Sequence, residues 1–151
     1  MSEDPNFKYI IRIANSDVSG EQKLAYALTS IRGIGERTSN AIIQKLGLDS
    51  TKLAGKLTDK NIEDIETAIG NIGEYVPKWL LNRQKDYDTG DDVHPVSIDL
   101  KMSHEDDLNR MKKVKSYKGI RHASGHKVRG QRTYSNGRKG LALGVSKRKG
   151  A

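Results

Sequence analysis

Cationic side chains and glycines are interleaved between residues 118 and 140, in the sequence KGIRHASGHKVRGQRTYSNGRKG. Lys and Arg neutralise phosphates, and glycine lets backbone amides come close to them. The cations include Arg121, Lys127, Arg129, Arg132, Arg138 and Lys139. Tyr134, His122 and His126 add rings of the kind that stack on unpaired bases. The pattern predicts RNA binding through many phosphate contacts.

A pair of glycines, Gly33 and Gly35, stands directly before a predicted helix. The unpaired amides and the dipole of a helix N-terminus can hold a phosphate at such a hairpin, together with Thr38. The dinucleotide-binding pattern GxGxxG does not fit, because Thr38 takes the place of the third glycine. The hairpin is therefore interpreted either as a phosphate site or as a tight turn between packed helices.

Residue combinations that would support catalysis or metal binding fail on spacing or charge. His122 and His126 are four residues apart, but their neighbourhood has no carboxylate and its positive charge opposes a metal ion. The run DYDTGDD, residues 86–92, has its glycine one position early for a calcium loop, and Ser97 replaces the closing Glu. The chain has no cysteine. We predict a protein that is not an enzyme and holds no cofactor or metal.

Charge divides the chain at Asp107, its last acidic residue. Residues 1–107 carry 13 Lys and Arg and 19 Asp and Glu, a net charge of −6, whereas residues 108–151 carry 14 cations and no acid. Leu, Ile, Val and Phe number 26 in the first part and 7 in the second. A highly charged segment below roughly 20% in these residues does not bury a core. We expect the first part to fold and the second to be ordered by a polyanion.

Nucleic acid is the favoured polyanion, because the basic segment has scattered rather than striped apolar residues and so lacks the face of a membrane-surface helix. A tail that only keeps the protein soluble would need neither the glycine spacing nor the arginines. The sequence MSEDPNFK lacks the apolar run of a secretory signal, and a run of 18 apolar residues occurs nowhere. We expect a cytoplasmic protein without a membrane partner.

Apolar periodicity predicts the elements that position these residues. Alternation over residues 7–13 predicts a short strand or an extended entry segment. A first helix is expected after a capping box of Ser19 and Gln22, and a second after the glycine hairpin, closed by Gly47. A third helix is expected after the Thr58 cap.

The remaining pattern is less regular. Pro77 predicts the start of a short helix containing WLLNR. Alternation over residues 96–100 predicts a strand, and Ser103 would cap a helix whose acidic first turn and basic later turns suit the helix dipole. Beyond Gly119, frequent glycines favour extended backbone. We therefore expect a mainly α protein with a helical globular domain and short strands over 1–102, a projecting helix over 103–118 and an extended basic tail over 119–151.

With these motifs in place, the chain resembles the universal family of small-subunit ribosomal protein thirteen, whose eukaryotic counterpart is numbered eighteen. The resemblance is carried by RIANSDV, IRGIGERTSNAI, PKWLLNRQKD, RHASGHKVRGQRT and GVSKRKG, and so covers nearly the whole chain. Residues 86–103 and the ending GVSKRK are similar to the archaeal and eukaryotic branch. The family implies a small helix-two-turn-helix domain, a long helix and a basic tail in the head of the small subunit.

The resemblance also implies the partners and contacts. They are small-subunit ribosomal RNA, peptidyl-site transfer RNA, small-subunit protein nineteen and, in an intersubunit bridge, large-subunit protein five. The implied transfer-RNA contacts are Lys147, Arg148 and Lys149. The ribosomal RNA contacts predicted from the basic segment and the family together are Lys118, Arg121, His122, Lys127, Arg129, Gly130, Gln131, Arg132, Thr133, Arg138 and Lys139.

An alternative is a helix-hairpin-helix DNA-binding module of a repair or recombination complex, because such hairpins also occur in enzymes that act on DNA. That module would bind duplex DNA around residues 33–38 and would keep binding without the tail. It does not explain PKWLLNRQKD and VRGQRT together.

Overall fold

The computed structural model describes residues 7–136. Over this range one β-hairpin is followed by six α-helices and three single 3₁₀ turns. The mainly α fold class is confirmed. The chain divides into two compact units between Glu105 and Asp106.

The first unit begins with an antiparallel hairpin of β1, Ile10–Ile13, and β2, Ser16–Ser19. The turn residues Ala14 and Asn15 have φ values of 47° and 58°, as a two-residue type I′ hairpin requires. The strand predicted over residues 7–13 is confirmed for Ile10–Ile13. Its partner strand was not predicted, since Ser-Asp-Val-Ser carries a single apolar residue.

Helix α1 spans Leu24–Ala27 and continues as a 3₁₀ turn, Leu28–Ser30. The predicted capping box is wrong, because Ser19 pairs with Ile10 at the end of β2 and Lys23 is the residue that precedes the helix. The predicted core positions of this segment are right: the buried residues are Leu24, Ala27, Leu28 and Ile31.

Helices α2, Glu36–Leu46, and α3, Asp59–Gly70, lie where the sequence predicts them. Gly47 closes α2 at a φ of 63°, a left-handed conformation that glycine adopts without strain. The Thr58 hydroxyl accepts a hydrogen bond from the amide of Asn61 at 3.4 Å, which satisfies one unpaired amide of α3. A 3₁₀ turn, Ala54–Lys56, precedes α3.

After α3 come the short helix α4, Ile72–Tyr75, and a 3₁₀ turn, Lys78–Leu80. The helix predicted from Pro77 through WLLNR is therefore wrong, because only a single 3₁₀ turn forms there. The reason is a pair of backbone hydrogen bonds between Arg83 and Val93, of 3.2 and 2.9 Å, which draw the following residues into a loop.

The core of the first unit is made of eighteen buried apolar residues between Ile11 and Leu81. The largest fully buried side chains come from both strands, from helices α1 to α4 and from the segment that follows α1; the apolar ones are Ile13, Leu24, Leu28, Ile31, Ile42, Ile65, Ile72 and Val18. Burial of this apolar surface is the main force that holds the unit together.

Helix α5 spans Ser97–Lys113, so the strand predicted over residues 96–100 and the cap predicted at Ser103 are both wrong. The alternation over residues 96–100 includes two positions four residues apart, a spacing that also fits one face of a helix. In the structure, Val96 packs on the core and Ile98 is exposed. The Ser97 amide donates to the carbonyl of Arg32 at 2.7 Å, which holds this end of the helix.

A last helix, α6, spans Tyr117–Ala123, where extended backbone was predicted beyond Gly119. Within residues 7–136, none of the helices has the length and apolarity needed to cross a bilayer.

Candidate nucleic-acid interface

Ser116 builds a corner between the end of α5 and α6. Its hydroxyl donates to the Met111 carbonyl at 3.0 Å and accepts from the Gly119 amide at 3.2 Å. The Ser116 amide donates to the same Met111 carbonyl at 3.2 Å. One side chain thus caps α6 and ties it to the preceding helix, so the start of the basic segment has a defined direction relative to residues 106–113.

Gly119 lies against the backbone of Met111 at this corner. A methyl group placed on it would lie 2.2 Å from the Met111 carbonyl oxygen, far inside van der Waals contact. Gly119 is also the one buried residue among residues 106–136. The corner therefore requires glycine here, for space and not for backbone torsion.

Arg121, one of the predicted RNA contacts, also makes hydrogen bonds within the protein. Its Nε donates to the Lys127 carbonyl at 2.9 Å, and its carbonyl accepts from the His126 amide at 2.9 Å. Gly125, at a φ of 68°, turns the chain back between these bonds. Arg121 is half-buried, and its hydrogen bonds within the chain order residues 121–127.

His122 and His126 do not share a helical face, because α6 ends at Ala123. Among residues 7–136, no group of three metal-ligating side chains has an arrangement that could hold a metal ion.

The other predicted ribosomal RNA contacts in the described range point to solvent. The exposed ones are Lys118, His122, Lys127, Arg129, Gly130, Gln131, Arg132 and Thr133. The remaining predicted contacts lie outside the described residues: Arg138, Lys139, Lys147, Arg148 and Lys149.

Arg132 and Tyr134 form a stacked pair at this surface. The guanidinium carbon lies 5.5 Å from the centre of the tyrosine ring, within the range of a cation–π contact. Tyr134 is nevertheless 74% exposed. The pair presents a flat, cationic surface on which a base can stack while a phosphate meets the guanidinium.

The charge of this region is strongly one-sided. Residues 106–136 hold nine Lys and Arg, and their two acids are Asp106 and Asp107. Arg110 pairs with Asp107 on α5. The cations of the predicted contact set therefore face solvent without an acidic residue in their own stretch of sequence, which concentrates positive potential there.

The glycine hairpin is held by the chain that leads into α5. His94 Nε2 lies 3.0 Å from the Gly33 carbonyl oxygen, and His94 Nδ1 lies 3.3 Å from the Asn82 amide. The neutral imidazole that donates from Nε2 satisfies both bonds. Burial lowers the pKa of His94, and the hydrogen bond to Gly33 opposes this shift. His94 is a positioning residue that the sequence analysis missed, because only the tertiary fold brings it to Gly33.

The three predicted phosphate-hairpin residues have different surroundings. Gly33 has a φ of 102°, and a methyl group on it would meet the Pro95 carbonyl oxygen at 3.0 Å. Thr38 is 5% exposed and faces the core. Gly35 precedes α2 in extended conformation, with open space where its side chain would be. The hairpin is thus a packed turn whose accessible part is Gly35 and the first amides of α2.

Ser116 and Gly119 are further residues that the sequence analysis missed as determinants of the site. Their signal was present, since a Ser followed by helix-compatible residues is a helix start. The frequent glycines after residue 119 outweighed it.

A helical unit followed by an exposed cationic segment with stacking side chains is the arrangement expected of a small protein that binds RNA. The family model described as ribosomal protein S13/S18 matches residues 12–139. The chain belongs to this family, and the predicted resemblance is confirmed. It is accordingly a ribosomal protein of the cytoplasmic ribosome, with a structural rather than an enzymatic role.

Relatives match over almost the full length. The small ribosomal subunit protein uS13 of Methanopyrus kandleri is 48% identical, covering 96% of this chain and 98% of its own. Those of Picrophilus torridus and Staphylothermus marinus are 50% and 45% identical, covering 95% and 99% of this chain and 92% and 99% of their own. These archaeal relatives agree with the branch predicted from the sequence. Family membership decides against the DNA-binding alternative.

Proposed function

We propose that the protein is a structural component of the small ribosomal subunit that is anchored in small-subunit ribosomal RNA by its basic segment. In this proposal residues 1–102 face other proteins, residues 103–118 link the two parts and residues 119–151 enter the RNA. The observation that carries the proposal is the exposed cationic surface from Lys118 to Thr133.

The binding mechanism follows from the chemistry of this surface. Lys and Arg displace counterions from phosphates, and each such contact adds to the affinity and to its salt dependence. The Arg132–Tyr134 pair adds stacking on an unpaired base. Arg121 acts chiefly by ordering residues 121–127, so its removal should weaken several neighbouring contacts at once.

The C-terminal cations Lys147, Arg148 and Lys149 are proposed to contact peptidyl-site transfer RNA. Support comes from the charge of the chain: residues 137–151 hold five Lys and Arg and no acid. Deleting residues 142–151 should weaken transfer-RNA retention while subunit incorporation stays mostly intact. Peptidyl-site occupancy in purified ribosomes measures this, and unchanged occupancy would refute the assignment.

The first unit is proposed to provide the protein contacts, with small-subunit protein nineteen and, across the subunits, large-subunit protein five. Residues 1–105 carry 13 cations and 17 acids, a net charge of −4. A negative surface is repelled by RNA phosphates and suits protein partners with positive patches.

At the glycine hairpin, Gly33, Gly35 and Thr38 are proposed to shape a turn that offers the first amides of α2 to a phosphate.

The RNA anchor is tested by removing residues 119–151. Binding of the full chain to a fragment of small-subunit ribosomal RNA is measured from low to high salt. Eight phosphate contacts would give a slope of log affinity against log salt of about −7. The shortened chain should lose most of that slope; an unaltered slope would show that the anchor lies elsewhere. Circular dichroism on the same samples checks that the first unit remains folded.

A further inference from the structure

Asn136 is followed by glycine, and this is the single Asn-Gly pair among the eight asparagines of the sequence. Asparagine is a thermolabile residue, because the backbone nitrogen of the next residue can attack its side-chain carbonyl carbon. Glycine favours that attack, since it has no Cβ in the way and lets the backbone rotate until the two reacting atoms meet. By sequence, Asn136 is therefore the most reactive asparagine of the chain.

The surroundings of Asn136 leave its side chain open to this reaction. Asn136 is exposed. The last hydrogen bonds along the described part of the basic segment are those that join Arg121 to His126 and Lys127. Residues 128–136 make no hydrogen bond to another described residue. Within the described range, no such bond has to break before the side chain of Asn136 approaches the following amide.

Three other asparagines show how the fold prevents the same reaction elsewhere. Asn40 and Asn109 are exposed, but they lie inside α2 and α5, where the following amide donates along the helix. The Asn82 side chain donates to the Pro95 carbonyl at 2.9 Å, and the backbone amide after it is bonded to Val93. An amide held in this way cannot turn towards the side-chain carbonyl unless its element opens.

We propose that Asn136 is a site of spontaneous deamidation. The Gly137 nitrogen loses its proton to the solvent and forms a bond to Cγ of Asn136. The bond from Cγ to the side-chain nitrogen breaks, and ammonia leaves with a proton from the solvent. Water then adds to one of the two carbonyl carbons of the resulting succinimide and opens the ring, which gives aspartate or isoaspartate. Water is the only co-reactant, and nothing is oxidised or reduced.

The product carries a negative charge where the basic segment has none. Residues 108–151 contain 14 Lys and Arg and no acid. An exposed aspartate is ionised at neutral pH, because its ordinary pKa lies well below that pH. The new carboxylate stands two residues before Arg138 and offsets one cation in the binding of phosphates. This consequence rests on the proposed RNA anchor, whereas the reaction itself does not.

The reaction is tested on the purified full chain, kept for several days at mildly alkaline pH. Trypsin releases Asn136 in the peptide 133–138 and Asn109 in the peptide 102–110. Mass spectrometry measures the replacement of NH₂ by OH, and an isoaspartyl methyltransferase labels the isoaspartate. The peptide 133–138 should convert at least about tenfold faster, because α5 keeps the reacting atoms of Asn109 apart. Equal rates, or no conversion at Asn136, would overturn the inference.

The matched variant is Gly137→Val, which keeps Asn136 and adds a branched side chain at the attacking residue. Conversion at Asn136 should slow at least about tenfold, since the Cβ substituents obstruct the approach of nitrogen to carbon. Asn109 in the same sample is the internal control, and its rate should stay constant. If Asn136 converts equally fast in both proteins, the Asn-Gly pair does not direct the reaction and the inference fails.

The consequence for RNA is measured with Asn136→Asp, which carries the charge of the product from the start. Its slope of log affinity against log salt, on a fragment of small-subunit ribosomal RNA, should be shallower than that of the original chain by about 0.9. Asn136→Gln is the neutral control and should keep the original slope. An unaltered slope in the aspartate variant would contradict the proposed RNA anchor at this position, and the conversion measured in the free chain distinguishes that result from failure of the deamidation itself.

Discussion

The two units of this chain obtain their order from different interactions. In the first, eighteen apolar residues between Ile11 and Leu81 are buried. In the second, over residues 106–136, Gly119 alone is buried, and order comes from hydrogen bonds at Ser116 and Arg121. The comparison predicts that stability and the proposed RNA binding are separable. Substitutions in the first unit should change unfolding, and substitutions in the second should change affinity for RNA.

The largest effect should come from emptying a core position. Ile42→Ala, at a fully buried site on α2, should lower the free energy of unfolding by about 2–5 kcal/mol through lost burial and a residual cavity. Urea titration followed by circular dichroism measures it. Ile10→Ala, at a site 72% exposed, is the control and should change stability by less than about 0.5 kcal/mol. Equal losses at both sites would contradict the location of the core.

A smaller effect is expected at the corner of the second unit. Gly119→Ala would push α6 away from the Met111 carbonyl, at a cost of about 1–3 kcal/mol typical of overpacking. RNA affinity should fall about tenfold, and the α6 amides should exchange hydrogen faster, while the urea midpoint of the first unit stays constant.

Gly130→Ala is the matched control for that corner. Gly130 has a φ of 68° and open space around it, so alanine there meets only a torsional penalty of about 1 kcal/mol. Exchange of the α6 amides should not change. If Gly119→Ala leaves both exchange and affinity unchanged, the corner does not order the basic segment.

Removing one cation should have a modest effect that depends on salt. Arg132→Ala removes a phosphate contact and the stacking partner of Tyr134, and the salt slope should become shallower by about 0.9. Arg132→Lys keeps the charge, so it should restore the slope but not the planar stacking. A slope that is unaltered in the alanine variant would exclude a phosphate contact at Arg132.

The smallest effect is a pH dependence at His94. Because burial lowers its pKa in the folded state, the unfolded chain binds a proton more readily. The resulting stability is fully present above the ordinary histidine pKa of about 6.5 and is lost as pH falls below it. His94→Gln should flatten this part of the unfolding profile between pH 7 and pH 5. An identical profile in both proteins would show that His94 does not contribute.

The sequence predicted the parts of the fold that local pattern determines. Helices α2 and α3 were predicted with their Gly47 and Thr58 caps, because 3.6-residue periodicity and capping residues agreed there. The strand predicted over 96–100 failed because apolar alternation over five residues also fits a helix. The choice depends on where Val96 finds the core, which local sequence does not contain.

Composition predicted where the candidate site lies, but it did not predict the contacts that order the site. The cations and glycines of residues 118–140 stood out in the sequence. The bond from Arg121 to the Lys127 carbonyl and the contact of Gly119 with Met111 depend on the chain turning back on itself. Similarly, nothing in the spacing of His94 and Gly33 predicts their contact, 61 residues apart.

The corner at Ser116 also bears on how quickly a newly made chain would recognise RNA in the proposed role. Fixing one residue's backbone costs about 1–2 kcal/mol, and α6 already fixes seven. That entropy is lost when the polypeptide folds, before any encounter with a nucleotide. In the proposed role, the chain therefore reaches RNA with the cations of α6 already held in one conformation, together with the residues up to Lys127 that Arg121 orders.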